Sequence, residues 1–168
     1  MNKKAIAMIV SLLAVLTIVL AYVVINRPAS QVTLYVDPQT PSQYVGQDFT
    51  IKINISDVAY LYGWELKLRW NTTVLNVVNA TEGPFLKSGG NTFFIPTINN
   101  TAGYIKLDCT LLGNISGVSG RGTLGTIQFH VKANGNCNLD FYDTILLDSS
   151  EQAIPHVVRD GHFSTTTQ

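Results

Sequence analysis

Between Trp64 and Trp70 the chain alternates without a fault. Trp64, Leu66, Leu68 and Trp70 take one parity, and Glu65, Lys67 and Arg69 take the other. A period of 2 held over seven residues describes a strand with one face buried and one face in water. Asn71-Thr72-Thr73 is a polar break, and the β-branched run that follows, VLNVVNA, reads as a returning strand. Whatever fold this chain adopts has to bury one whole face of that central strand.

Short strands with turn signals recur along the rest of the chain, the pattern of an all-β sandwich. Val32–Asp37 ends at Pro38. In Phe49–Ser56, Phe49, Ile51, Ile53 and Ile55 point in, while Thr50, Lys52 and Asn54 point out. Leu61–Trp70, Val74–Ala80 and Thr92–Thr97 follow. Tyr104–Leu112 turns Ile105, Leu107, Cys109 and Leu111 inward, with Lys106 and Asp108 outward. Thr123–Ala133, Leu139–Asp148 and Ile154–Phe163 bring the count to nine strands. The expected fold is a nine-stranded antiparallel β-sandwich over residues 32–163, with 164–168 as tail.

Ahead of it, Ala5 to Ile25 is 21 residues without a charge, preceded by Lys3 and Lys4 and followed by Arg27. A bilayer core needs about 20 apolar residues, more than the roughly 7–15 of a secretory h-region. Residues 1–4 then form a cytoplasmic stub, 5–25 a transmembrane signal anchor and 26–31 a linker. Cleavage after Ala21, giving a secreted chain, and a pilin-type leader ahead of Ile6 are the alternatives. The lysines hold the N-terminus inside, so the sandwich faces out from the cell membrane on a single pass. Sequons at Asn54, Asn71, Asn79, Asn99 and Asn114 fit an external location and are candidate N-glycosylation sites.

Setting aside Lys3, Lys4 and Arg27 leaves 8 basic against 11 acidic residues. No basic patch serves nucleic acid, which is excluded as a partner. Gly120-x-Gly122-x-x-Gly125 matches the dinucleotide fingerprint, but a strand, not a helix, follows it. Ser119 lacks the G-x-S-x-G surround of a nucleophile. His130, His156 and His162 show no ligand spacing, and Asp140, Asp143, Asp148 and Glu151 lack the central glycine of a calcium loop. No metal, cofactor or catalytic activity is expected. Trp64 and Trp70 share a parity with Leu66 and Leu68, which marks them as core; Tyr60, Tyr62, Tyr104 and Tyr142 are the better candidates for stacking on a sugar.

Tyr62-Gly63-Trp64-Glu65-Leu66, then Val74-Leu75 and Glu82-Gly83-Pro84-Phe85-Leu86, resemble the middle of a cohesin domain. Gly117-Val118-Ser119-Gly120 running into Gly122-Thr123-Leu124 and Ile127-Phe129 is similar to the same family. The resemblance implies a jelly-roll sandwich with one sheet ordered 5-6-3-8 and the other 4-7-2-1-9. It also implies that the exposed face of the 8-3-6-5 sheet receives a dockerin-like protein. On this chain that face would present Glu65, Lys67, Arg69, Lys106, Asp108, Asp140 and Tyr142. The implied order separates Cys109 and Cys137 by one strand, so no disulfide between them is expected. The reading is of a membrane-anchored, extracellular, non-catalytic docking or adhesion module. A carbohydrate-binding domain of the same superfamily, or a pilin-like or surface-layer subunit, is the alternative.

Overall fold

The computed structural model describes residues 31–166, together with Val15, Leu16, Thr17, Val19 and Tyr22. The chain divides into two compact units, Met1–Ser30 and Gln31–Gln168. The five described N-terminal residues are helical. The expected stub 1–4, most of the span 5–25 and all of the linker but Gln31 lie outside the described residues. Among the described residues no helix is long and apolar enough to cross a membrane.

The second unit contains eleven strands: β1 (Thr33–Asp37), β2 (Ser42–Gln43), β3 (Asp48–Leu61), β4 (Gly63–Arg69), β5 (Leu75–Glu82), β6 (Thr92–Asn99), β7 (Tyr104–Leu111), β8 (Val118–Val131), β9 (Asn136–Leu147), β10 (Val157–Arg159) and β11 (Gly161–Thr165). One sheet runs β10-β1-β3-β8-β5 and the other β2-β11-β9-β4-β7-β6. The implied orders 4-7-2-1-9 and 5-6-3-8 are both contained in these sheets.

Two features depart from the nine-stranded, wholly antiparallel expectation. The expected ninth strand is two strands, because the chain changes sheets at Asp160. β10 pairs parallel to β1, whereas β11 pairs antiparallel to β9. Asp160 fixes the crossing by accepting a hydrogen bond from the Phe141 backbone N–H at 2.8 Å. Gly161 follows because a Cβ there would stand 2.9 Å from Val36 Cγ1. The short β2 adds a second parallel pairing, to β11. A one-turn helix, Pro84–Lys87, also interrupts the strands and buries Phe85 and Leu86.

The core forms where the two sheets face each other. Ile51, Ile53 and Ile55 of β3 and Ile127, Phe129 and Val131 of β8 meet Leu66 and Leu68 of β4 and Ile105 and Leu107 of β7 in one buried cluster. Phe49 stacks on Phe129 and Phe163, with ring centroids 5.4 and 4.7 Å away, and Trp70 meets Phe129 edge-on at 5.5 Å. Both tryptophans are buried, so neither supplies a platform for sugar. Gly122, which precedes the strand expected from Thr123, lies within β8, where a Cβ would come within 2.6 Å of the Phe85 ring.

Asn54 corrects the sequence expectation. It has outward parity, yet it is only 9% exposed. Its Nδ2 donates to Asp37 Oδ2 at 3.1 Å and its Oδ1 accepts from Thr123 Oγ1 at 2.8 Å, across three adjacent strands. The ladder slips between Ile53 and Asn54, which sets this amide between its neighbours rather than in water. Folded, this side chain is held among its neighbours and does not face solvent.

The two outermost strands on one flank are protected differently. The Asn100 side chain pairs with both backbone groups of Val77 on β5, accepting at 2.7 Å and donating at 2.9 Å in the manner of a neighbouring strand. On β6, the Leu112 N–H donates to Asn91 O at 2.9 Å. By ladder alternation, the odd residues of β6 therefore bond β7 and the even ones face the free edge. Pro96 is among the even ones, so the middle of that edge offers no donor. Asn100→Ala is expected to cost about 1–3 kcal/mol by leaving the two Val77 groups unmatched. Chemical denaturation of the variant checks this; a change below about 0.3 kcal/mol would show the bracket to be idle.

Candidate docking face

β4 is the middle strand of three, pairing antiparallel with β7 on one side and β9 on the other. Its parity sends Trp64, Leu66 and Leu68 to the core and Glu65, Lys67 and Arg69 to the outer surface. The register then builds rows across the sheet. Asp108 and Ile145 flank Glu65, Lys106 and Asp143 flank Lys67, and Tyr104 and Asp140 flank Arg69. All seven residues assigned from sequence, Glu65, Lys67, Arg69, Lys106, Asp108, Asp140 and Tyr142, sit on strands of this one sheet, and the register brings their charges together.

Those charges are already paired. Lys67 Nζ lies 3.1 Å from Glu65 and also binds Asp143. Lys106 Nζ lies 2.9 Å from Asp108 and 3.4 Å from Glu65. Arg69 Nε is 3.6 Å from Asp140, with its guanidinium 6.0 Å from the centre of the Tyr142 ring. The hydrogen bonds it donates to Asp143 and then to Glu65 raise the Lys67 ammonium above its usual value. The bond from Lys67 does most to lower Glu65. Asp108 moves the other way, raised chiefly by burial, with Glu65 adding to the effect and Lys106 opposing it.

Sequence reasoning missed two parts of this surface. Asp143 would point inward if β9 alternated strictly after Asp140, but a bulge opposite Lys67 and Leu68 makes Tyr142 an extra residue. Tyr142 and Asp143 are consequently both exposed. The second part is β6, whose TFFIPTIN carries apolar residues on both parities. Phe93 and Ile95 pair with Thr110 and Asp108 and share the outer face, where they are 57% and 42% exposed. Ile145 on β9 is also 42% exposed. The outer face thus has a charged centre and an apolar end. At the apolar end lies a recess of about 270 Å³, lined by Gly63, Glu65, Phe93, Asp108, Thr110 and Ile145, among others. At the opposite end Arg69, Asn71, Asn136, Asn138 and Asp140 help line a recess of about 370 Å³.

The remaining sequons differ among themselves. Asn71, Asn79 and Asn114 are exposed and Asn99 is half-buried. Asn71 Oδ1 accepts from both the N–H and the hydroxyl of Thr73. Cys109 on β7 and Cys137 on β9 are free and buried, with β4 between them. Burial, with Glu82 nearby, pushes the Cys109 thiol up to about 12; burial also raises Cys137. Thiolate is the reactive form, so both are expected to resist alkylation in the folded chain and to react on denaturation, as mass spectrometry would read.

A carboxyl raised on folding costs stability where it is ionised. That cost is present above its folded pKa and disappears as pH falls below the ordinary aspartate value of about 3.9. Asp108→Asn is therefore expected to be more stable than the parent at neutral pH, by less than about 1 kcal/mol. The gain should vanish in acid. Thermal melts at the two pH values decide it; a loss of stability at neutral pH would show that the Lys106 pairing outweighs the burial.

The cohesin domain family model matches residues 34–163, well over half of the chain. Among solved structures, the fold is similar to a non-cellulosomal cohesin from the hyperthermophilic archaeon Archaeoglobus fulgidus, with a TM-score of 0.70 at 19% identity, covering 83% of this chain and 94% of that one. It is also similar to the third cohesin of ScaC, solved in complex with the ScaB dockerin from Acetivibrio cellulolyticus, with a TM-score of 0.68 at 17% identity, covering 81% and 99%. A type II cohesin domain from the cellulosome of Acetivibrio cellulolyticus gives a TM-score of 0.66 at 19% identity, covering 81% and 95%. No curated protein sequence matches the chain. With the family model spanning the whole sandwich from β1 into β11, the chain belongs to the cohesin domain family.

Proposed function

We propose that this chain is a non-catalytic docking module that binds a dockerin-like or other surface protein through the outer face of β9-β4-β7-β6. The observation that carries the reading is the composition of that face. Three adjacent strands hold a fixed network of ion pairs beside exposed Phe93, Ile95 and Ile145. Apolar side chains of this size left in water on a sheet mark an interaction surface. Two of the similar structures, the ScaC cohesin and the OlpC cohesin from Clostridium thermocellum, were solved as complexes with dockerins, which supports a protein as the occupant. The Archaeoglobus fulgidus relative is described as non-cellulosomal, which fits a docking module that works outside a cellulosome.

In this reading residues 5–25 hold the module at the cell surface with the sandwich outside, or are removed to release it. The uncharged run between Lys4 and Arg27 supports the anchor, and exposed Asn71, Asn79 and Asn114 are the sequons free to carry glycans. A polysaccharide is the second reading, favoured by one observation: the amide-rich recess beside Arg69 and Asp140, with Tyr104 and Tyr142 on the adjoining strands.

Affinity capture from host surface extract separates these readings. Phe93→Ser with Ile95→Ser is expected to leave thermal stability within about 0.5 kcal/mol. The same pair should weaken capture of the protein partner by tenfold or more, about 1.4 kcal/mol, while Lys52→Glu on the other sheet changes nothing. Unchanged capture in the first variant together with loss in the second would place the partner on the wrong face. Retention on polysaccharide with no protein captured would favour the second reading.

A further inference from the structure

We propose that the recess at the apolar end of the face takes one basic side chain of the docking partner, an arginine laid along Phe93 with its guanidinium against Glu65 and Asp108. The inference rests on the docking reading and names what that part of the face recognises.

Ladder register gives three rows across β6, β7, β4 and β9. The first reads Phe93-Thr110-Gly63-Leu147, the second Ile95-Asp108-Glu65-Ile145, and the third Thr97-Lys106-Lys67-Asp143. Gly63 is the one position of the first row without a side chain, and the recess opens there. Its walls are apolar, from Phe93, Ile145 and Leu147, and two carboxylates stand over it from the next row. The lysines occupy the third row, on the far side of the carboxylates from the notch.

Charge counting points the same way. Glu65, Asp108 and Asp143 share only Lys67 and Lys106, which leaves one negative charge in excess. Glu65 and Asp108 are direct neighbours in a pair without mutual backbone hydrogen bonds, the closer of the two antiparallel spacings. Like charges so placed repel. An apolar partner group closing over the notch would bury these carboxylates further without compensation, and an anionic one would add to the repulsion. A cation on an aliphatic stem satisfies both surfaces: its methylenes lie along Phe93, and its head supplies the missing charge between the two carboxylates. The planar guanidinium fits two adjacent carboxylates and an aromatic wall better than an ammonium does.

The test titrates the ¹⁵N-labelled full chain with n-butylguanidinium, n-pentanol and pentanoate, following amide shifts. Saturable shifts at Gly63, Glu65, Phe93, Asp108, Thr110 and Ile145 are expected from butylguanidinium, at least about tenfold tighter than from the alcohol, with none from pentanoate. Gly63→Val fills the notch, and its Cβ meets Thr110 Oγ1 at 3.4 Å, an ordinary contact. That variant and Asp108→Asn should each weaken the guanidinium probe by about fivefold or more. Equal binding of the alcohol, no saturable shift at the notch, or indifference to both substitutions overturns the assignment. If the probe fails there while Phe93→Ser with Ile95→Ser still abolishes capture, the arginine assignment falls and the docking face stands. If capture depends on Lys52 instead, both fall.

Discussion

The whole surface depends on the parity of β4. This strand has a partner on each side over its full length, so its register is held twice. A slip of one residue would bring Glu65, Lys67 and Arg69 into the core and put Trp64, Leu66 and Leu68 into water. Burying three unpaired charges is prohibitive, and each of those apolar side chains contributes about 1.5–3 kcal/mol when buried. Core packing against β3 and β8 and the composition of the outer face are therefore set by one alternation.

Because β7 and β9 are locked to β4, the charges on the face come as a built array. Every lysine and arginine in its centre already holds a carboxylate. A partner's ions have to compete with these pairs, so the centre suits orientation and discrimination more than raw affinity. In the proposed docking reading affinity falls to the exposed apolar side chains Phe93, Ile95 and Ile145. Such a division, with anchors at one side and a charged register beside them, is how a flat sheet selects a partner without a deep pocket.

Alternation made most of this legible in the amino-acid sequence. The strands from Phe49, Leu61, Tyr104 and Thr123 read directly, the resemblance supplied the order of the sheets, and together they put seven side chains on one face. What escaped was whatever breaks period 2. The bulge at Tyr142 turned Asp143 outward, and the slip at Asn54 sealed an amide read as solvent-facing. The strand expected to end at Thr97, just after Pro96, runs on to Asn99, since a missing N–H at a free edge costs nothing. The run TFFIPTIN has no single apolar face, so the exposure of Phe93 and Ile95 on the outer surface left no periodic signal. The sheet change at Asp160 rests on one side-chain hydrogen bond to Phe141, which no local pattern reports.

The central claim is that the outer face of β9-β4-β7-β6 is covered when the partner binds. Cross-saturation from an unlabelled partner onto the deuterated chain reads that cover residue by residue. Signal loss at Glu65, Lys67, Phe93, Ile95, Lys106, Asp108 and Ile145, with Thr50, Lys52 and Gln128 untouched, is the expected result. Loss centred on Thr50, Lys52 and Gln128 of the opposite sheet, with the first set unaffected, would contradict it.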